Sequence, residues 1–180
     1  MCEEKSPDAV ILVDGEDRPI GTIGKLEAHQ QGLLHRAFSI FIFDAEGKML
    51  LQQRSQTKYH NPGMWSNACC SHPLPGEDTL KAAERRLQEE MGFTVPLVKA
   101  FDFIYNVSFD NGLAEHEFDH VYIGQYEGEI IFDPFEVEAY SYKYIPEIKL
   151  LLKSQPASFT EWFKIAFPKI EEQWQLQFNS

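Results

Sequence analysis

Between residues 76 and 93 the chain reads GEDTLKAAERRLQEEMGF, and this pattern predicts a helix from Asp78 to Met91. Asp78 is a typical N-cap residue, and Gly92 suits the left-handed position that follows a helix. Apolar side chains recur at helical spacing, at Leu80, Ala83, Leu87 and Met91. The stretch is therefore expected to form an amphipathic helix with one buried face.

The opposite face of this predicted helix is charged. Arg85 precedes Glu89 by four residues, and Arg86 precedes Glu90 by four. Side chains at this spacing meet on a helix, so two ion pairs are expected, each contributing about 0.3 kcal/mol. Taken alone, these charges indicate a solvated face with ordinary helix-stabilising pairs.

Strands are predicted on both sides of the helix. Turn signals at residues 45–47 and 110–112 predict hairpins. Apolar and β-branched runs predict strands at 9–13, 19–23, 36–43, 48–53, 97–107, 113–125 and 137–145. Further helices are expected at 147–154 and 159–167, with Pro168 kinking the last one or restarting it. Strands outnumber helices and the helices come late, which favours an α+β fold with a mixed sheet.

The composition indicates one folded domain with an acidic surface. A chain of 180 residues that is 43% hydrophobic is long enough for a proper core, and we expect a single domain over residues 1–180. Lys and Arg total 16 against 28 Asp and Glu, a net charge of −12. Such a chain lacks the basic surface of a general nucleic-acid binder, but its few cations can still converge on a small anion.

The cysteines and the start of the chain indicate the compartment. Cys2, Cys69 and Cys70 do not make a disulfide framework, which favours a reducing environment. Residues 1–8 are charged and lack the apolar core of a signal peptide. The longest apolar run, at residues 38–43, is too short to cross a bilayer. We therefore expect a cytoplasmic protein with no membrane partner.

The segment EHEFDH, which begins at Glu115, is one candidate for chemistry. Side chains alternate on a strand, so Glu115, Glu117 and Asp119 are expected on one face and His116 and His120 on the other. Carboxylates that share a face can clamp a cation, or divide the roles of acid and base. The same pattern also describes a solvated face of an acidic protein, and this segment alone favours the solvated face.

The segment Cys69-Cys70-Ser71-His72-Pro73 is a second candidate. If it is extended, Cys70 and His72 share a face and Cys69 points to the other. The shared face suits a cysteine–histidine pair, or a thiol beside a metal bound by histidine. A free cysteine that simply packs in a core explains the residues equally well.

Distant residues offer a mixed set of metal donors. Such a set suits Mn²⁺ or Zn²⁺, or Mg²⁺ at a looser site. Each histidine can equally be an ordinary one, and sequence spacing does not show that these residues converge. The set comprises three imidazoles and two carboxylates, at His29, His35, His72, Glu115 and Glu117.

The helical stretch resembles a Nudix box: Gly, five residues, Glu, seven residues, Arg-Glu, an aliphatic residue, any residue, Glu-Glu, any residue, Gly and an aliphatic residue. With Gly76 as the motif glycine, Ala82 stands where the first Glu is expected, and Arg86 replaces the Glu after Arg85. In Nudix hydrolases these carboxylates hold Mg²⁺ that activates water on a diphosphate. The resemblance therefore implies a helix that binds a diphosphate and leaves it intact. The remaining matches are Leu87, Glu89, Glu90, Gly92 and Phe93.

Nearly the whole chain resembles the type 1 isopentenyl diphosphate isomerases, a branch of the Nudix superfamily. The matching stretches are GLLHRAFS at residues 32–39, PGMWSNACCSHP at 62–73, the modified helix, and Glu-His-Glu at 115–117. This resemblance implies a Nudix-like mixed β-sheet core flanked by helices. It also implies conversion of isopentenyl diphosphate to dimethylallyl diphosphate by protonation and deprotonation, a 1,3-allylic rearrangement.

The same resemblance implies a role for individual residues. The catalytic groups are Cys70, Glu117 and Tyr105, and Trp162 lines the hydrocarbon end of the substrate. Cations that bind phosphate are Lys25, Arg54, Lys58 and Arg86. A tightly held divalent metal, Mn²⁺ or Zn²⁺, is bound by His29, His35, His72, Glu115 and Glu117. A Mg²⁺ ion that bridges the diphosphate is bound by Glu90 and the main-chain carbonyl of Cys70.

Two alternatives remain beside an isomerase. A Nudix-type hydrolase of another diphosphate is disfavoured by Ala82 and Arg86, and a metal-stabilised protein that only holds a prenyl diphosphate is the second. The expected partner is a small prenyl diphosphate, and a monomer or weak dimer is expected. His60, in the polar loop before Pro62, is expected to lie outside the metal site.

Overall fold

The computed structural model describes residues 8–178 of the chain. Within that range the chain forms nine strands and four α-helices. They are β1 (Ala9–Val13), β2 (Pro19–Gly24), α1 (Lys25–Gln31), β3 (His35–Phe43), β4 (Met49–Arg54), β5 (Trp65–Ser66), β6 (Cys69–Ser71), α2 (Thr79–Met91), β7 (Val98–Ser108), β8 (Ala114–Gln125), β9 (Val137–Lys143), α3 (Ile145–Ser154) and α4 (Glu161–Phe178). A 3-10 turn at Pro156–Ser158 separates the last two helices.

All nine strands belong to one mixed sheet in which β3 is the central strand. β3 pairs in parallel with β8 along its whole length, from His35 opposite Glu117 to Phe43 opposite Gln125. Its other partners, β1, β4 and β6, are antiparallel to it. The predicted α+β fold with a mixed sheet is confirmed. The sheet sets residues of β8 beside residues that lie some 80 positions earlier.

Two apolar layers cover the two faces of β3. Ile40 and Ile42 pack with Leu87 of α2 in one cluster. Phe41 packs with Phe163 of α4 in the other, their rings 6.3 Å apart. Because successive side chains of a strand point to opposite faces, one buried strand anchors a helix on each side of the sheet.

Helix α2 agrees with its prediction. The Asp78 side chain accepts a hydrogen bond from the Lys81 N–H at 3.0 Å, and Gly92 follows the helix at φ 78°. A Cβ at Gly92 would lie 2.1 Å from the carbonyl oxygen of Ile131, so both the dihedral and the space require glycine. The predicted ion pairs form, with N–O distances of 3.2 Å for Arg85–Glu89 and 2.6 Å for Arg86–Glu90.

One helix is longer than predicted, and another was absent from the prediction. Helix α4 continues through Pro168 to Phe178, since buried Phe167 and Ile170 on either side of the proline keep it on the sheet. Helix α1 was not predicted. It has seven residues, begins at Gly24 without a side-chain cap, and buries only Ala28 and His29. Among residues 8–178, none of the helices combines the length and apolar character needed to cross a membrane.

Candidate active site

Five side chains from four parts of the chain meet at the end of the β3–β8 pair. One ligand atom from each lies within 4.8 Å of all the others. The parallel register sets His35 beside Glu117, and strand alternation adds Glu115 on the same face. Helix α1 carries His29, and His72 follows β6. The structure thus brings together all five residues of the predicted donor set.

Hydrogen bonds on the far side of two imidazole rings orient them. The His35 Nδ1–H donates to the Leu33 carbonyl at 2.8 Å, so its Nε2 faces the cluster. The His29 Nδ1 lies 3.3 Å from the Tyr59 hydroxyl, and its Nε2 also faces inward, 3.4 Å from Glu115 Oε2. Bonds of this kind fix the tautomer and the ring orientation of histidine ligands.

The inward-facing atoms fit a divalent cation. Both His29 Nε2 and Glu115 Oε2 are buried without a hydrogen-bond partner in the described part of the chain. Nearby, His35 Nε2 and His72 Nε2 face each other at 3.2 Å, and His72 Nε2 lies 2.9 Å from Glu117 Oε1. Buried polar atoms left unpaired cost roughly 1–3 kcal/mol each. A cation at the centre would satisfy them, and three imidazoles with two carboxylates are a donor set that first-row divalent metals accept.

Burial favours the neutral form of the His29 and His72 imidazoles, the form in which histidine binds metals. It lowers the pKa of His29 to about 3 and that of His72 to about 4. Burial and the adjacent Glu117 carboxylate raise the pKa of Glu115 well above its usual range. Although burial opposes it, the adjacent His35 and His72 imidazoles hold the pKa of Glu117 well below the ordinary value. Burial thus favours the neutral form of Glu115, whereas the imidazoles favour the ionised form of Glu117.

The three predicted catalytic residues line one narrow cavity beside this cluster. The Tyr105 hydroxyl donates to Glu117 Oε2 at 2.6 Å, because these residues are paired across β7 and β8. Cys70 lines the same cavity, and burial, followed by the nearby Asp119 carboxylate, raises the pKa of its thiol to about 12. Trp162 completes the apolar part of the wall.

The two adjacent cysteines point to opposite sides of the sheet. Cys69 is 1% exposed and packs in the apolar cluster under α2. Cys70 lies on the other side, and its main-chain pairing partner on β3 is Ser39. The alternation predicted for an extended segment is observed, and only Cys70 lies in the cavity with His72.

Cations form the remaining wall of the cavity. Arg86 donates to Glu90 Oε1 at 2.6 Å and lies 3.3 Å from Glu136 Oε1, and Lys58 pairs with the same Glu136. The guanidinium of Arg54 lies 5.3 Å from the centroid of the Trp162 ring. All four predicted phosphate-binding cations, Lys25, Arg54, Lys58 and Arg86, line this cavity together with Glu90.

Comparisons with known proteins place nearly the whole chain in a family. A model of the NUDIX domain family matches residues 33–163. The chain is 48% identical to the isopentenyl-diphosphate Delta-isomerase of Pectobacterium atrosepticum, over 92% of this chain and 93% of that protein. It is 47% identical to isopentenyl-diphosphate Delta-isomerase 2 of Photorhabdus laumondii, over 93% of this chain and 97% of the relative. The chain belongs to the isopentenyl-diphosphate Delta-isomerase family.

Solved structures with lower sequence identity share the fold of this isopentenyl-diphosphate Delta-isomerase family member. The protein DR0079 of Deinococcus radiodurans matches with a TM-score of 0.72 and 16% identity, over 87% of this chain and 96% of its own. The MutT protein of Methanosarcina mazei matches with a TM-score of 0.62 and 19% identity, over 78% and 94%. Because both identities are low, these two structures support the fold alone.

The predicted alignment to the Nudix box was wrong at its first acidic position. Glu77 precedes Arg85 by eight residues and binds its guanidinium with both oxygens, at 2.7 and 2.9 Å. Seven residues separate the two, as the motif requires, so Glu77 and not Ala82 occupies the first acidic position. Ala82 is fully buried in the core instead. By the same count Ser71 replaces the motif glycine, and Arg86 remains the departure among the acids.

The sequence reasoning also missed residues around the cavity. His60 was expected outside the metal site, but its Nε2 lies 3.2 Å from Glu115 Oε1, because its loop folds back onto Arg54. Glu136, which pairs with two of the cations, was not singled out either. The only signal for His60 was its position between Lys58 and the stretch at 62–73 that matches the isopentenyl-diphosphate Delta-isomerase family.

Proposed function

We propose that this protein converts isopentenyl diphosphate to dimethylallyl diphosphate as an isopentenyl-diphosphate Delta-isomerase. The observation that carries the proposal is a single cavity lined by the Cys70 thiol, the Tyr105-bound Glu117 carboxylate and four cations. The names of relatives that match nearly the full length of the chain support it.

The proposed reaction needs two groups that exchange protons and no redox partner. Moving the double bond adds a proton to the terminal carbon and removes one from C2. Cys70 and Glu117 are the proposed proton carriers, and the Tyr105 hydroxyl fixes the orientation of Glu117. The π face of Trp162 is proposed to stabilise a tertiary carbocation between the two steps.

Two cation sites belong to the proposal. A divalent metal, Mn²⁺ or Zn²⁺, is proposed at the cluster of His29, His35, His72, Glu115 and Glu117, whose unpaired inward atoms fit it. Mg²⁺ is proposed at Glu90 with the main-chain carbonyl of Cys70, and Lys25, Arg54, Lys58 and Arg86 are proposed to bind the diphosphate. When bound, such cations neutralise phosphate charge and favour the ionised form of neighbouring acids. Arg86 donates to Glu90 and is proposed to bind phosphate by charge-assisted hydrogen bonds.

A hydrolase is the second candidate, and Arg86 argues against it. Water activation on a diphosphate uses several carboxylates to hold the metal ions, and here a guanidinium takes one acidic position. The acid at Glu77 does not restore the lost group, since both its oxygens bind Arg85. A protein that holds a prenyl diphosphate without turnover is the third candidate. We also propose a cytoplasmic location, given the free thiols of Cys69 and Cys70, and a monomer or weak dimer.

An NMR time course in deuterated water separates the three candidates. Purified protein is incubated with isopentenyl diphosphate, Mg²⁺ and Mn²⁺, and free phosphate is assayed in parallel. An isomerase produces dimethylallyl diphosphate signals with deuterium entering the product, and releases no phosphate. Phosphate release without double-bond migration would establish the hydrolase, and saturable binding without deuterium exchange would establish the binding protein.

The adjacent cysteines give a matched pair of variants for this assay. Cys70→Ala is expected to lower turnover by about 1,000-fold, within the range for loss of a proton carrier, with metal content retained. Cys69→Ala removes a thiol from the core on the other side of the sheet and is expected to lower only the unfolding temperature. Equal activity of the two variants would refute the assignment of Cys70.

A further inference from the structure

A buried hydrogen-bond network connects Cys70 and Trp162, two residues that line the cavity. The indole N–H of Trp162 donates to Ser66 Oγ at 2.9 Å. The Ser66 hydroxyl donates to Asn67 Oδ1 at 3.0 Å, and the Cys70 thiol donates to the same oxygen at 3.1 Å. Ser66 and Asn67 are 3% and 1% exposed. The proposed proton carrier and the proposed cation-facing ring are therefore joined through two residues.

The direction of every bond in this network is forced. An indole N–H only donates, so Ser66 Oγ must accept from Trp162. The Asn67 Nδ2 group donates to the carbonyl oxygens of Ile40 and Cys69, both at 3.0 Å. A flipped amide would set its oxygen against these two carbonyls, so Oδ1 must face Ser66 and Cys70.

The polar atoms of Asn67 and Ser66 are also saturated, and the Cys70 sulfur has a second neighbour in the Ser39 hydroxyl at 3.4 Å. Asn67 uses both N–H groups and accepts two hydrogen bonds at its oxygen. Ser66 Oγ donates once and accepts twice, the second time from the Thr160 hydroxyl at 3.0 Å. A buried polar network with every partner satisfied is rigid, because any displacement leaves a desolvated group unpaired.

We propose that Asn67 is a positioning residue that holds the Cys70 sulfur and, through Ser66, the Trp162 ring in one fixed arrangement. The proposal rests on the proposed function, in which the thiol and the indole serve the same carbocation. Positioning of reacting groups matters strongly, since a misplacement of 1 Å can cost about 100-fold in rate. In the described chain neither Ser66 nor Asn67 lines the cavity, so both act through the residues they hold.

The test compares Asn67→Ala and Ser66→Ala with Tyr142→Phe as the control. Tyr142 donates a hydroxyl hydrogen bond to the Tyr126 carbonyl, outside the cavity, and packs against the core under α2. We expect kcat to fall about 100-fold for Asn67→Ala and about 10-fold for Ser66→Ala, with KM within about threefold, because substrate contacts are kept. Metal content is measured for each variant and is expected to be unchanged. Tyr142→Phe is expected to keep the wild-type kcat.

A spectroscopic readout separates positioning from loss of stability. The indole N–H signal of Trp162, measured by ¹⁵N NMR, is expected to shift in Ser66→Ala and also in Asn67→Ala, which does not touch the ring. It is expected to stay in place in Tyr142→Phe. An unshifted signal in Asn67→Ala, or a loss of activity through KM alone, would overturn the proposal.

If Asn67→Ala does not fold, Ser66→Ala tests the part of the network that holds the ring, because it deletes the acceptor of the Trp162 N–H and keeps the bond between Asn67 and Cys70. A wild-type kcat in Ser66→Ala would then overturn the proposal. If wild-type protein does not isomerise isopentenyl diphosphate, the proposed function fails. The NMR shifts then still report whether the network couples Asn67 to Trp162.

Discussion

The two faces of β8 carry the same kinds of residue with different results. On one face, Glu115 and Glu117 meet three histidines and leave buried atoms without hydrogen-bond partners. On the other face, the His116 Nδ1–H donates to the Gly32 carbonyl at 2.9 Å, and His120 Nε2 lies 2.8 Å from Asp17 Oδ2. The first face is incomplete without a ligand, whereas the second is closed by the protein itself.

Asp17 shows how the second face is closed. It adopts φ 62°, the left-handed conformation that aspartate tolerates better than most residues. Its side chain accepts from Arg36 Nε at 2.7 Å, in addition to its contact with His120. By binding Asp17, His120 helps to hold this turn in place. Unsatisfied buried donors and acceptors, rather than residue type, therefore distinguish the candidate site from the structural face.

The largest expected effect comes from removing a carboxylate on the candidate-site face. Glu117→Gln is expected to lower kcat for isomerisation by about 1,000-fold, since it replaces a proton carrier that Tyr105 holds at 2.6 Å. His116→Ala, one residue away on the other face, is expected to keep kcat near wild type. Steady-state kinetics on both proteins checks this, and a comparable loss in His116→Ala would remove the distinction between the faces.

How much of the fold and of the candidate site can be predicted from the sequence depends on whether the signal lies in neighbouring residues. The N-cap of Asp78, the αL position of Gly92 and the alternation along β8 are local, and each was predicted correctly. The convergence of His35 with Glu117 depends on a parallel pairing between distant strands, which spacing does not reveal. Residue types marked these side chains as possible donors, but only the resemblance to the isomerase family implied that they bind one metal.

Other features had no local signal at all. Helix α1 has seven residues and no side-chain cap, so neither periodicity nor capping marks it, although it carries His29 and Lys25. His60 reaches Glu115 because of the path of a loop, and loop paths are set by tertiary contacts. The Asn67 network depends on an indole that lies 95 residues further along the chain than its amide.

A smaller effect is expected on metal affinity. His29→Ala removes an inward-facing ligand and is expected to weaken Mn²⁺ binding by about 100-fold or more. Even the loss of a residue that only hydrogen-bonds to a metal ligand costs about 10–100-fold in affinity. His120→Ala, on the closed face, is expected to bind the metal as wild type does and to unfold more easily. Titration calorimetry with chelator-treated protein measures both affinities.

Removing the metal provides the control for this pair. A cation that binds only the folded state stabilises it by about 2.7 kcal/mol at 100 times its Kd, which corresponds to several degrees in Tm. Chelation is therefore expected to lower the Tm of wild type and of His120→Ala, and to leave His29→Ala unchanged. If His29→Ala still loses several degrees on chelation, His29 is not a ligand.

The smallest expected effect is on the pH dependence of stability in metal-free protein. Burial lowers the pKa of His72 in the folded state to about 4, against 6.5 for the unfolded chain. Between these values the unfolded state binds more protons, so the unfolding free energy falls as pH drops through that window, by at most about 1.4 kcal/mol per pH unit for one proton. Burial also lowers the pKa of His120, by a smaller amount, and the Asp17 carboxylate opposes this shift. Urea unfolding at pH 7, 6 and 5 is expected to show a shallower decline for His72→Asn than for wild type, and only a slight change for His120→Asn. A larger change for His120→Asn than for His72→Asn would contradict this prediction. It would mean that folding disfavours protonation of His120, on the closed face, more strongly than that of His72.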